Sequence, residues 1–407
     1  MNRRKFIQNS ALATVGASLI SNHANANMSP SITEKKDLDK IKSSDAFKYY
    51  KDRAAGCYFG AAIADAMGGP PEFIHYKRRE RDFGWVKGFL EYKTPPGHGT
   101  IGPGYALHTR AGSITDDTFI RADCTRFYLN VKPPYTAHKM AHYFLKNADF
   151  SNWWTVAVKA LRRVESGEVS AEDAGFKHQQ GGGGAWWQPV SILNAGDPLA
   201  ASNEVSNLCR IWKAPLERDI LSSVVAGQAA AYKKGSTVDS VINAVLDDSG
   251  PLAKKLFERA LDIAKKANSP QELYKNLYAK AMVDEVSTEI DGPMPKPMKD
   301  VYVEGGYGGV KFAEQQPWAL AYFLYGNGDP EKTVLTAING GRDSDSIASN
   351  AASWLGALYG ESIWPKEWVD TVQEANLIEM DIRGLLDQLV DLGVRNGTVA
   401  IINNYDI

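Results

Sequence analysis

Two runs of small residues constrain this chain most tightly. Gly56, Gly60, Ala64 and Gly68 recur every four residues, and so do Ala348, Ala352, Gly356 and Gly360. On a helix, that spacing lines one side with side chains too short to hold a neighbour away, so two backbones can approach closely. Gly inside a helix costs about 1 kcal/mol relative to Ala, so its repeated use predicts a packing contact. Helical periodicity continues through 46–67, 116–130, 135–147, 152–166, 199–211, 216–233, 237–247, 252–267, 271–283, 316–325, 330–338, 344–359, 366–375 and 379–393. Pro and Gly punctuate it, as at Pro133-Pro134, Gly235, Pro251 and Pro330. No set of alternating strands is evident, although Thr398 to Asn403 reads as one short strand. The expectation is an all-α fold.

The N-terminus carries a twin-arginine pattern, Asn2-Arg3-Arg4-Lys5-Phe6-Ile7, followed by an apolar run from Ala11 to Ile20. That run is about ten residues long, too short to span a bilayer. Ala24-Asn25-Ala26 fits the small-residue cleavage rule. Residues 1–26 therefore read as an export signal, 27–45 as a polar linker or peripheral segment, and 46–407 as one helical domain. The mature chain is expected to be periplasmic or secreted, with no membrane span. A net charge of −2 gives no basic field for nucleic acid. Cys57, Cys124 and Cys209 match neither a zinc pattern nor a disulfide framework. They read as buried thiols, with a single disulfide left open outside the cytoplasm.

Two acidic clusters lie far apart in sequence. One is Gly112-Ser113-Ile114-Thr115-Asp116-Asp117-Thr118, the other Asn339-Gly340-Gly341-Arg342-Asp343-Ser344-Asp345-Ser346. Each opens a helical stretch, so each can be read as a capped helix N-terminus. Capping needs one oxygen, however, and each cluster offers two carboxylates beside hydroxyls. Asp343 and Asp345 are also expected to alternate on an extended stretch before the helix begins, so that both side chains project the same way. Carboxylate and hydroxyl oxygens suit Mg²⁺, Mn²⁺ or Ca²⁺, whereas zinc would recruit His or Cys. Three glycine-rich loops, Pro95 to Gly104, Gly181 to Gly184 and Gly305 to Gly309, suggest a lined cleft.

These residues resemble the ADP-ribosylglycohydrolase family, the group of the dinitrogenase-reductase-activating glycohydrolase and the ADP-ribosyl-acceptor hydrolases. The likeness rests on three blocks: Gly56 to Phe73, which contains Asp65 and the loop Gly69-Pro70-Pro71-Glu72; Ile114 to Thr118; and Asn339 to Ala348. It implies a single-domain orthogonal helical bundle holding two divalent cations, Mg²⁺ or Mn²⁺. Thr115, Asp116, Asp117, Asp343, Asp345 and Ser346 would form the metal shell, with Asp65 behind it. Glu72, Asp116 and Asp117 would be the catalytic carboxylates, Glu72 positioning or deprotonating the attacking water. Ser346 stands where the family usually has Thr.

The middle block departs from the family. Where Gly-Asn-Gly-Ala and then Met-Arg are usual, this chain has Gly182-Gly183-Gly184-Ala185-Trp186-Trp187, and Arg210-Ile211-Trp212-Lys213 occupies the region of a Thr-His step. Trp186 and Trp187 can offer a stacking platform for a sugar or an adenine, or can equally belong to the core. With Gly183, Gly184, Gly306, Tyr307 and Gly308 they are the expected substrate-binding residues. The resulting expectation is an exported, monomeric, metal-dependent glycosidase acting on a small-molecule or glycan substrate. ADP-ribosyl hydrolysis is the alternative substrate reading. A non-catalytic sugar- or nucleotide-binding protein and a metal-dependent phosphohydrolase are the rivals from other classes.

Overall fold

A computed structural model describes residues 35–92, 107–177, 183–281 and 312–403. The expected signal at 1–26, the loops 95–104 and 305–309 with Gly306, Tyr307 and Gly308, and Gly181 and Gly182 lie outside the described residues. The fold is all-α. A short α1 (Lys35–Lys42) leads into the long α2 (Asp45–Gly68), then β1 (Ile74–His75) and α3 (Tyr76–Phe83). The middle of the chain forms α4 (Asp116–Asn130), α5 (Ala137–Asn147), α6 (Thr155–Glu165), α7 (Gln188–Leu193), α8 (Pro198–Leu208) and α9 (Pro215–Ala231). Next come α10 (Val238–Asp248), α11 (Pro251–Lys266), α12 (Pro270–Lys280), α13 (Phe312–Gly326) and α14 (Pro330–Asn339). The chain continues through β2 (Gly341–Arg342), α15 (Ser344–Tyr359), α16 (Lys366–Asn376), α17 (Ile382–Arg395) and α18 (Thr398–Asn403).

Local chemistry sets many of the boundaries. Ser44, Thr136, Asp197, Ser269 and Asp329 each accept a backbone N–H in the first turn of the helix they precede. Pro198, Pro215, Pro251, Pro270 and Pro330 open their helices where no intrahelical donor is needed.

The two small-residue stripes face each other. A Cβ on Gly56 would fall 2.3 Å from the carbonyl oxygen of Gly356, and one on Gly356 would fall 2.0 Å from that of Gly56. At the other end of the contact, a Cβ on Gly68 would meet the Cα of Asp345 at 2.5 Å. α2 and α15 therefore pack backbone to backbone along their length. The C-terminal end of α2 is thereby brought against the start of α15, which is what assembles the site.

Several expectations need correction. The tail 398–403 is a helix, because Val399 and Ile402 are both buried at a three-residue spacing that an extended strand would point to opposite faces. The linker 27–45 contains α1, whose Leu38 and Ile41 pack against the core. α3 and α7 were not expected. α3 is mostly charged and buries Tyr76 and Arg79 on one side, so its inner face carries little apolar signal, while the short α7 is buried all round and has no polar face to mark a period. Cys57, Cys124 and Cys209 are free and buried. No helix among the described residues is long and apolar enough to cross a membrane.

Candidate active site and metal centre

The end of α2 is closed by its neighbours. Gly69 N–H donates to Asp65 O at 2.9 Å, and Ser344 Oγ donates to Gly68 O at 2.8 Å. The chain then turns through Pro70-Pro71-Glu72 into β1, which pairs antiparallel with β2, Ile74 opposite Arg342 and His75 opposite Gly341. This bridge carries Glu72 into the second acidic cluster. Carboxylate oxygens of Glu72, Asp343 and Asp345 all lie within 4.8 Å of one another.

The first cluster joins them from the start of α4. Thr115 is the N-cap, its Oγ1 accepting from Asp117 N–H at 3.3 Å. That hydroxyl donates to Asp65 Oδ1 at 2.5 Å and lies 3.3 Å from Asp345 Oδ2. Asp65 also accepts the backbone N–H groups of Thr115 and Thr118, so a carboxylate from α2 caps α4 across the fold. Ser346 Oγ donates to Asp117 Oδ2 at 2.6 Å, a second tie between the clusters. Thr115, Asp117, Asp343, Asp345, Ser346 and Glu72 are buried, while Asp116 keeps part of its surface in solvent.

Asp343 and Asp345 do converge, but not by alternating on an extended segment. α15 already begins at Ser344, so Asp345 lies in its first turn. Asp343 occupies the N-cap position without making a side-chain cap, and its carboxylate instead accepts from Gln315 Nε2 on α13.

The electrostatics are those of a buried acidic cluster without direct ion pairs, with Arg121 and Lys213 as the buried cations that act on it from a distance. Burial first, and neighbouring carboxylates next, push Glu72, Asp116, Asp117 and Asp345 well above the ordinary carboxyl range. Asp343 and Asp65 are raised as well, again chiefly by burial. Among the described residues no lysine or arginine forms an ion pair with Glu72, Asp116, Asp117, Asp343 or Asp345. Arg342, next to Asp343 in sequence, is paired instead with Glu314 of α13. Several carboxylates held together away from water call for cationic charge, and their donors are all oxygen. That set fits hard divalent ions.

Trp186 and Trp187 lie in the core, the second of the two readings open to them. Both are 1% exposed, packed edgewise against Trp212, and Trp186 also against Trp153. Gly183 and Gly184 are buried beside them. Gly183 holds φ at 70°, its carbonyl accepts Trp187 Nε1 at 2.9 Å, and a Cβ there would strike the Trp186 ring at 2.2 Å. The glycine turn is thus moulded around indoles of the core.

Three residues that the sequence did not single out stand at or behind the centre: Tyr92, Gln315 and Arg121. Arg121, fully buried one helical turn after Asp117, donates to Thr118 Oγ1 at 2.5 Å and lies over the Tyr58 ring. Its charge is among the influences holding Asp65 and Asp117 down against burial. A buried cation on the helix of the first cluster was the available signal.

An all-α bundle whose two central helices meet at a buried oxygen-donor centre defines a helical scaffold with a candidate cation site. The chain belongs to the ADP-ribosylglycohydrolase family, whose sequence profile it matches over residues 48–398. Among solved structures it is similar to one described as "ADP-ribosylglycohydrolase-related protein complex", with 17% identity and a TM-score of 0.56. That match covers 86% of this chain and 99% of the other. No curated protein matches the sequence. Family and fold support hydrolysis of glycosyl-type bonds.

Proposed function

We propose that the protein is an exported hydrolase that cleaves an O- or N-glycosidic bond using two divalent cations, Mg²⁺ or Mn²⁺. The observation that carries this reading is the meeting of Glu72, Asp343 and Asp345 with Thr115, Asp117 and Ser346 at one buried point. Thr115, Asp116, Asp117, Asp343, Asp345 and Ser346 would hold the ions. When bound, the ions supply Lewis acidity toward water and the sugar's oxygens. Glu72 comes from a loop rather than a helix start, and its burial among carboxylates favours taking up a proton. It is therefore assigned to accept the proton of the attacking water. Asp65 holds the Thr115 hydroxyl proton, which turns that oxygen's lone pairs toward the centre.

For the substrate we favour a glycoside other than ADP-ribose, because of the twin-arginine pattern and the missing Asn and Arg of the middle block. Trp186 and Trp187 no longer contribute to that choice. The test is hydrolysis of ADP-ribosyl-arginine, ADP-ribosyl-serine, nucleosides and aryl or oligosaccharide glycosides under Mg²⁺, Mn²⁺ and EDTA. EDTA-sensitive sugar release from glycosides supports the proposal, and release of ADP-ribose alone moves the substrate to the alternative. Turnover unaffected by EDTA removes the metal reading. Cell fractionation with Arg3 and Arg4 replaced by Lys tests export, since the protein should then stay in the cytoplasm.

A further inference from the structure

Tyr92 is a buried phenol at the acidic centre whose hydroxyl has no partner among the described residues. The residue is 5% exposed, and its backbone N–H donates to Thr109 O at 3.0 Å, which fixes its place beside the site. A Cβ built on Gly69 would fall 1.9 Å from Tyr92 Oη and 2.7 Å from Cγ2 of Thr115. The hydroxyl therefore lies between the C-terminal end of α2 and the first residue of the metal cluster. The absence of a side chain at Gly69 is what leaves it room. In that position Oη makes no hydrogen bond to any of the described residues.

A buried hydroxyl without a partner costs about 1–3 kcal/mol, so its retention at such a point asks for a ligand. Its surroundings indicate which kind. The carboxylates are acceptors, and the nearby hydroxyls are committed as donors, Thr115 to Asp65 and Ser346 to Asp117. One N–H of Gln315 Nε2 goes to Asp343. A phenol titrates only at about 10 in its ordinary state, so near neutral pH the Tyr92 hydroxyl carries a proton to donate. A water that must lose a proton needs an acceptor, which Glu72 provides. The substrate oxygen that gains electron density as the glycosidic bond lengthens needs a donor.

We propose that Tyr92 is a catalytic residue that donates a hydrogen bond from Oη to an oxygen of the bound glycoside. This rests on the glycosidase reading above. The phenol keeps its proton throughout, and no bond to it is made or broken.

Tyr92→Phe tests this cleanly, because removing a hydroxyl that has no partner in the free protein carries no structural penalty. The variant should melt at the wild-type temperature or above and bind Mn²⁺ with wild-type affinity. Its kcat/KM on a glycoside that the wild type hydrolyses should fall by about 10²-fold, mostly in kcat. Wild-type kcat/KM in Tyr92→Phe overturns the assignment. So does an activity loss matched by an equal loss of Mn²⁺ affinity, since the hydroxyl would then serve the ion. A melting temperature lower by about 10 °C overturns it too, because the hydroxyl would be bonded within the fold. If the wild type cleaves no glycoside, the functional reading itself fails and the assignment falls with it.

Discussion

Phe73 donates its backbone N–H to the carbonyl of Arg342 at 2.6 Å, and both residues hold positive φ, 61° and 67°. For residues with a Cβ this region costs about 1–2 kcal/mol each. The strain falls beside Glu72 and Asp343, the two carboxylates that the bridge brings together. The pairing of β1 with β2 is short, yet it decides where the loop glutamate points.

Gly341→Ala should break that arrangement. Gly341 holds φ at 72°, and a Cβ there would fall 2.2 Å from Ile74 O across the bridge. The expected cost is about 2–4 kcal/mol, with activity lost beyond what the unfolded fraction explains. Gly235→Ala is the control. Its φ is 77° but nothing lies within 4 Å of the added atom, so about 1–2 kcal/mol should be lost with activity intact. Urea unfolding and turnover on both variants decide it. Equal behaviour would mean the bridge does not set the site.

The two tryptophans should respond to Phe differently from each other and without changing substrate affinity. Trp187→Phe loses the bond to Gly183 O and some packed volume, an expected cost of about 2–3 kcal/mol. Trp186 Nε1 has no partner, so Trp186→Phe removes a costly group along with the volume and should lose less. KM should stay at the wild-type value in both. A KM raised tenfold in a stably folded Trp186→Phe would restore the stacking platform.

What could be read in the sequence was what local pattern records. A four-residue repeat of Gly and Ala specifies a close helix contact wherever the partner lies, and Gly56 against Gly356 is that contact. Thr115-Asp116-Asp117 and Asp343-Ser344-Asp345 declared their oxygens by composition. Trp186 and Trp187 stayed open between platform and core because adjacency to glycines carries no information on which side is solvent. Tyr92 was silent for a related reason. Its meaning comes from space left by Gly69 and from Thr115, contacts that no periodicity encodes. Gln315 likewise reaches Asp343 only because α13 packs on α15.

Asp65→Asn separates the support of the centre from the centre itself. Asp65 takes the Thr115 hydroxyl and the N–H groups of Thr115 and Thr118. An amide cannot accept at both ends, so one donor at the α4 N-terminus is left facing an NH₂ group. Mn²⁺ affinity should drop by about 10–100-fold, as for other outer-sphere partners, while binding stays measurable. Asp345→Asn should abolish binding under the same titration. Wild-type affinity in Asp65→Asn would show that the Thr115 hydroxyl is not oriented from behind.

The metal-free protein should become less stable as pH rises, opposite to the usual behaviour of paired carboxylates. Burial pushes Asp343 up to about 7 and raises Glu72, Asp116, Asp117 and Asp345 well above their ordinary values. Between the unfolded carboxyl value of about 4 and these folded values, the native state binds more protons than the unfolded chain. Stability therefore falls as pH climbs through that window, by on the order of a few kcal/mol, because each ionisation adds buried charge. Divalent ions reverse the trend. They displace those protons, so the rise in melting temperature on adding Mg²⁺ or Mn²⁺ should be larger at pH of about 8 than at about 5.5. Thermal melts after EDTA treatment, repeated with each ion across this range, provide the check. A metal-free melting temperature that increases from pH 5.5 to 8, both values taken as approximate window limits, would mean that charge within the protein already balances the cluster.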